Sequence, residues 1–219
     1  VGSDYNNPVN STIAIKGGTF LKPLHRQDVS RPDAIQVSGG TFSEKLDNAW
    51  FADGFIPVEN EDGTFGVATG SFAAEIAGVK YLTLQKAFDA ATATDTIKLL
   101  SSVTDTPRLT LTNGKTVSID LNGHDIGFVQ NGRFQVNGGK LTLTGEGKVY
   151  EQAPDYGPIL IMGSTEDIAD YSVVDVGKDV TLEGWAPLFI NNNAGCAYGV
   201  KVTMAGTVNS VRDTTGAAG

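Results

Sequence analysis

The side chains of this chain that could do chemistry are few, and most are carboxylates. Asp120 closes the run Val117-Ser118-Ile119-Asp120, Asp175 sits in Val173-Val174-Asp175-Val176, and Asp125 and Asp179 lie within five residues of one or the other. In an alternating strand each of the first two points away from its aliphatic neighbours and therefore outward. Outward carboxylates on a sheet suit polysaccharide cleavage. A uronate lyase needs an anion to hold calcium and a base for the C5 proton, whereas a hydrolase needs two carboxylates about 5–10 Å apart. The strand pattern allows Asp120 and Asp175 to share one face, and nothing in the sequence places them on adjacent coils, so a solvated polar face is the default and no catalytic residue is assigned.

Other reactive groups are sparser still. His124 belongs to the corner Asp120-Leu121-Asn122-Gly123-His124, where its ring is expected to bond a neighbouring backbone group, and His25 stands in a polar loop. With two His, the single Cys196 and no H-E-x-x-H or C-x-x-C spacing, neither a transition-metal site nor an internal disulfide is expected. Cys196 reads as a small buried residue. The acidic balance permits calcium, but no G-G-x-G-x-D nonapeptide indicates it. Trp185, Tyr150, Tyr156 and Tyr198 could form a sugar-stacking platform; the preferred reading has Trp185 packing on the coil it leaves. Trp50 reads as a core residue of a connecting hairpin. Asn113, Asn122, Asn131, Asn137 and Asn191-Asn192-Asn193 read as corner residues, because Asn tolerates left-handed backbone and can bond along a stack of coils. Asn10-Ser11-Thr12 matches a glycosylation sequon and carries little weight.

The elements that hold these residues are short strands in a repeat. Ile13-Ala14-Ile15-Lys16-Gly17-Gly18-Thr19-Phe20 returns 22 residues later as Ile35-Gln36-Val37-Ser38-Gly39-Gly40-Thr41-Phe42. The same offset of 22 separates Val180-Thr181-Leu182-Glu183-Gly184 from Val202-Thr203-Met204-Ala205-Gly206. Repetition at this length marks stacked supersecondary units. Alternating Ile, Val, Thr and Phe with Gly-Gly corners select β-strands over helical repeats, one coil lying about 4.8 Å above the last. The fold expected is all-β, a right-handed parallel β-helix. It carries one short amphipathic capping helix near residues 83–92, where Thr83 is the N-cap and Leu84, Ala87, Phe88 and Ala91 form the apolar stripe.

Along the chain, residues 1–70 read as the end of one β-helical module. They hold the two Gly-Gly-Thr-Phe coils and a hairpin from Trp50 to Val67 that turns at Asp62-Gly63. Residues 71–219 read as the helix-capped start and body of a second module. Glu75 to Tyr81 is expected as one strand and residues 150–170 as a lateral excursion. Coil length drifts, since the Leu-Thr-Leu-Thr phrases at 109 and 141 lie 32 apart. The net charge of −9 and pI near 4.6 argue against nucleic acid and anionic membranes as partners. No apolar run approaches the roughly 18 residues that cross a bilayer. The chain is expected to be a fragment of something longer.

Two stretches carry a family resemblance. Ala74-Glu75-Ile76-Ala77-Gly78-Val79-Lys80-Tyr81-Leu82-Thr83-Leu84-Gln85-Lys86-Ala87-Phe88-Asp89-Ala90-Ala91 with Asp95 to Leu100, and then Val117 to Ile126 with the corner Asp120-Leu121-Asn122-Gly123-His124, resemble the opening of pectin-lyase-like β-helix modules. Such modules occur in large repetitive surface and adhesin proteins of gut Firmicutes. The resemblance implies a non-catalytic extracellular structural or adhesive module, a rod segment that is secreted or displayed on a bacterial surface and contacts glycans or host proteins. It leaves two alternatives on the same fold: a phage or prophage tail fibre, which would be part of a virion, and a polysaccharide lyase or glycoside hydrolase.

Overall fold

The computed structural model describes residues 12–24, 34–152, 157–191 and 198–211. His25, Arg26, Pro32, Asn10, Ser11, Pro154, Tyr156, Asn192, Asn193, Cys196 and the stretch 214–219 lie outside the described residues, and so do the expectations attached to them. Strands make up 53% of the described residues, which form a parallel β-solenoid of about 7 turns with one short α-helix. By its internal contacts it divides into two compact units, residues 1–72 with 78–82, and residues 73–77 with 83–219.

In the first unit β1 (Ile13–Phe20) and β2 (Ile35–Phe42) are the two copies of the phrase, and they pair in parallel from Ile13 opposite Ile35 to Phe20 opposite Phe42. The register slips by one at Lys16, which stands opposite Gly39. Phe20 and Phe42 stack at 4.9 Å with rings 10° apart. β3 (Phe55–Glu59) and β4 (Phe65–Thr69) form the expected hairpin, with β4 also pairing β2. At its turn Asp62 accepts from the Thr64 amide and hydroxyl. Trp50 ends a 3-10 turn, Asn48–Trp50, and is buried. Asn48 Nδ2 donates to Lys80 O in β6 (Val79–Tyr81).

The second unit opens with β5 (Ala74–Ile76), which pairs antiparallel with β7 (Thr96–Leu99). The single strand expected over 75–81 is two, because Ala77 and Gly78 both take positive φ, 48° and 84°, and turn the chain. Helix α1 (Leu84–Ala90) lies against the first coil and buries Leu84, Ala87 and Phe88, while the Thr83 hydroxyl caps it by accepting from the Lys86 amide.

Each following coil contributes one strand to each of three parallel sheets. The first sheet holds β7, β10 (Thr116–Asp120), β13 (Lys140–Thr144), β16 (Ser172–Val176) and β19 (Val200–Met204). The second holds β8 (Val103–Thr106), β11 (Ile126–Phe128), β14 (Gly147–Glu151), β17 (Val180–Gly184) and β20 (Thr207–Ser210). The third holds β9 (Leu109–Thr112), β12 (Phe134–Asn137), β15 (Ile159–Met162) and β18 (Leu188–Asn191). The inward positions are stacked aliphatics and aromatics, among them Ile97, Ile119, Leu141, Leu143 and Val174, all fully buried. Each such side chain contributes about 1.5–3 kcal/mol by leaving water. Ser172 is a fully buried polar residue: its hydroxyl accepts from the Gly138 amide and donates to Met162 O, which ties the first sheet to the third.

Three expectations are corrected. The Val180 and Val202 phrases, though 22 apart, do not stack: β17 pairs β20 in the second sheet, while Val202 lies in β19 of the first. The Leu-Thr-Leu-Thr phrases likewise belong to different sheets, β9 and β13. Alternation is common to every strand of a solenoid, so similar phrases recur without marking equivalent positions. Finally, the stretch 150–170 contains a full core strand, β15. Pro158 sits just before it, where a missing N–H costs nothing, and its carbonyl accepts from the Phe134 amide at 2.8 Å.

Candidate functional site

The outward face of the first sheet holds the carboxylates on which cleavage would depend. Asp175 stands beside Thr142, and Thr142 in turn beside Ser118; Asp120 stands beside Thr144. The two acids thus share a face but are two coils apart and offset by two residues, which puts their Cα atoms about 12 Å apart. Threonines of β13 occupy the strand between them.

Each acid also has a structural partner. Asp175 Oδ2 meets Lys140 Nζ at 3.0 Å. Burial pushes its carboxyl up, but the Lys140 ammonium, the Thr203 hydroxyl and the charge of Lys201 together hold it below the ordinary carboxylate range. Asp120 Oδ1 accepts from the Asn122 amide at 3.0 Å and fixes the corner after β10. Asp125 Oδ1 accepts from the Lys148 amide one coil on, at 2.8 Å. Asp179 pairs with its neighbour Lys178 at 3.4 Å in solvent. His124 enters the corner through its main chain, its N–H donating to Leu121 O at 2.8 Å, and no hydrogen bond of its ring is found among the described residues. The corner is closed by backbone, which leaves the imidazole nothing to satisfy.

The Asn corners follow the physics expected of them. Asn113, Asn122 and Asn131 have φ of 53°, 49° and 64°. Asn122 Nδ2 reaches along the axis to Leu99 O at 2.9 Å, bonding the previous coil's backbone and not another Asn. Among the described residues, no three His, Cys, Asp or Glu side chains gather as metal ligands would. No helix there is long and apolar enough to cross a membrane.

The second feature able to recognise a ligand is apolar. Trp185 follows β17 and is 40% exposed; Phe189, on the outward side of β18, is 46% exposed. Phe189 stands opposite Leu160 in β15. With Arg133, Gly157, Ile159 and Ala186 they line a cleft of about 230 Å³. That is below the usual range for a drug-sized ligand and large enough for one protruding group. Gly157 shapes its floor: a Cβ there would run into the Ala186 carbonyl. Ser210 Oγ donates to Trp185 O at 3.1 Å and steadies the corner.

The aromatic platform drawn from sequence is therefore regrouped. Tyr150 faces out from the second sheet, its ring laid across Gly127, where a Cβ would come within 2.7 Å of it. Tyr198 bridges to Ser164 away from the three sheets. Phe189 takes their place beside Trp185. Its signal was in the sequence: in Leu188-Phe189-Ile190, alternation sends Phe189 to the side opposite its neighbours.

No protein-family model, curated protein or solved structure matches the chain.

Proposed function

We propose that this chain is a non-catalytic extracellular structural and adhesive module. It is a segment of β-helical scaffold of the pectin-lyase-like kind found in large repetitive bacterial surface proteins, and its partners are glycans or host proteins. The observation that carries this reading is the engagement of the outward acids. Asp175 is held by Lys140, Asp120 fixes its corner, Asp125 bonds the Lys148 amide of the next coil, and Asp120 and Asp175 stand on coils that are not neighbours. Asp125 and Asp175 used this way fasten one coil to the next and Asp120 fixes a corner, which is what a scaffold requires of its surface.

Adhesion is assigned to the Trp185–Phe189 cleft. Aromatic rings exposed on a rigid sheet give contact area at low entropic cost, and such rings dominate recognition surfaces. The test is direct: binding of the protein to immobilised mucin glycans and host matrix proteins, compared with Trp185→Ala. Loss of binding in the variant supports the reading. Release of unsaturated uronides or new reducing ends from pectin, alginate or mucin glycans would replace it with the lyase or hydrolase alternative.

A further inference from the structure

Four Asn-Gly dipeptides sit at corners of the second unit's coils: Asn113-Gly114, Asn122-Gly123, Asn131-Gly132 and Asn137-Gly138. Glycine after asparagine leaves its amide nitrogen unhindered by a Cβ, so in a free chain that nitrogen can close on the asparagine Cγ. The fold treats the four differently. In each the glycine N–H is engaged, Gly114 with Gly138 O, Gly123 with Glu146 O, Gly132 with Val129 O and Gly138 with Ser172 Oγ. What separates them is the hold on the asparagine and the room around the glycine.

Asn122 Nδ2, the nitrogen that would leave, donates to Leu99 O at 2.9 Å. Asn137 Oδ1 accepts from the Tyr171 hydroxyl at 3.1 Å, and the Tyr171 ring lies over Gly138, where a Cβ would come within 2.9 Å of it. At Asn131 it is the backbone that is clamped: its N–H donates to Glu151 Oε1 at 3.0 Å, its carbonyl accepts from Arg108, and a Cβ on the buried Gly132 would lie 2.7 Å from Thr106 O. Asn113 and Gly114 are both exposed, and nothing lies within 4 Å of where a Gly114 Cβ would stand. Among the described residues no hydrogen bond holds the Asn113 carboxamide.

We propose that Asn113 is a self-modification site, which deamidates through a succinimide in the folded protein while Asn122, Asn131 and Asn137 are protected. The Gly114 nitrogen bonds to Asn113 Cγ, the Cγ–Nδ2 bond breaks, and Nδ2 leaves as ammonia with the Gly114 N–H proton. Water then adds to one of the two ring carbonyls and breaks its bond to nitrogen: at Cγ this gives aspartate, at the main-chain carbon isoaspartate. Either product adds one negative charge to a chain already at −9. The corner has only to open briefly, because a single hydrogen bond, Gly114 N–H to Gly138 O, holds the nucleophile. Isoaspartate carries the backbone through an added methylene, which moves the Gly114 N–H off Gly138 O and unties this coil from the next.

The experiment holds the whole chain in warm, mildly alkaline buffer, folded or unfolded in urea, and follows by peptide mass spectrometry the replacement of each asparagine amide by an acid. Trypsin separates the sites, with Asn113 alone in residues 109–115, Asn122 and Asn131 in 116–133, where fragment ions tell them apart, and Asn137 in 134–140. In the folded protein Asn113 should convert at least about tenfold faster than each of the other three, the factor that one hydrogen bond of ordinary net strength commands. In urea the four rates should fall within a few-fold of one another, because all four share the Asn-Gly sequence. Conversion of Asn113 no faster than the others in the folded protein overturns the proposal. So does its absence there while the unfolded chain converts, or the same preference persisting in urea, since the fold would then not be its cause.

Discussion

Asp120 and Asp175 face outward from the same sheet, yet they stand on coils that are not neighbours, with Thr142 and Thr144 on the strand between them. Each is bonded within the fold, Asp175 to Lys140 and Asp120 to the Asn122 amide, and the proposed scaffold role rests on those bonds.

Asp175 makes stability depend on pH. Its carboxyl lies below the ordinary range in the fold despite burial, owing to Lys140, Thr203 and Lys201. A lowered folded pKa adds stability above the unfolded value, about 3.9, and that stability disappears as pH falls through the folded value. Asp175→Asn should therefore lower the urea midpoint at neutral pH, and the gap from wild type should close as pH falls below about 4. Equal midpoints at pH 7 would contradict the assignment.

The two Gly-Gly phrases should respond differently to the same change. Gly39→Ala forces a Cβ against Lys16 O, a backbone atom that cannot swing aside, and should cost about 1–3 kcal/mol in urea unfolding. Gly17→Ala should leave the isolated chain within about 0.5 kcal/mol of wild type, since its Cβ meets nothing.

The capping helix protects one end of the second unit's core. Phe88 is 2% exposed, with Lys115 Nζ 4.8 Å from its ring centroid. Phe88→Ala should cost about 3–5 kcal/mol and raise binding of a hydrophobic dye. At the other end the inward-facing Ile190 and Val208 are 44% and 49% exposed, while their partners Ile161 and Leu182 are fully buried. Adding a polar group there, as in Val208→Thr, should cost under about 1 kcal/mol by chemical denaturation.

The two tryptophans should separate by solvent access. Trp50 is 9% exposed and Trp185 40%. Acrylamide should quench Trp185 and largely spare Trp50, so Trp185→Phe should leave only weakly quenched emission. A ligand seated in the cleft should restore protection in the wild type.

How much of this was legible in the sequence depended on what fixed each element. The Gly-Gly-Thr-Phe phrase, the Thr83 cap and the Asp62-Gly63 turn are local signals, so β1, β2, α1 and the hairpin lie where the residues put them. Sheet membership is not local. β8, β11 and β15 carry the same alternation as every other strand, and only the long-range register decides which of the three sheets receives each. The Val180 and Val202 phrases misled for that reason. The acids were correctly read as outward from alternation alone. Their partners Lys140 and Lys148 come from neighbouring coils, a proximity created by stacking. Phe189 was readable from alternation, but its meeting with Trp185 across the β17–β18 corner was not.

The central proposal is that the outward acids serve structure, Asp125 and Asp175 joining coils and Asp120 fixing a corner, and do not cleave. It is tested most directly by incubating the wild-type protein and Asp175→Asn with pectin, alginate and mucin glycans, with and without calcium, and measuring unsaturated uronides and reducing ends. No release above buffer by either protein is the result expected. Sustained release by the wild type that Asp175→Asn abolishes would contradict it.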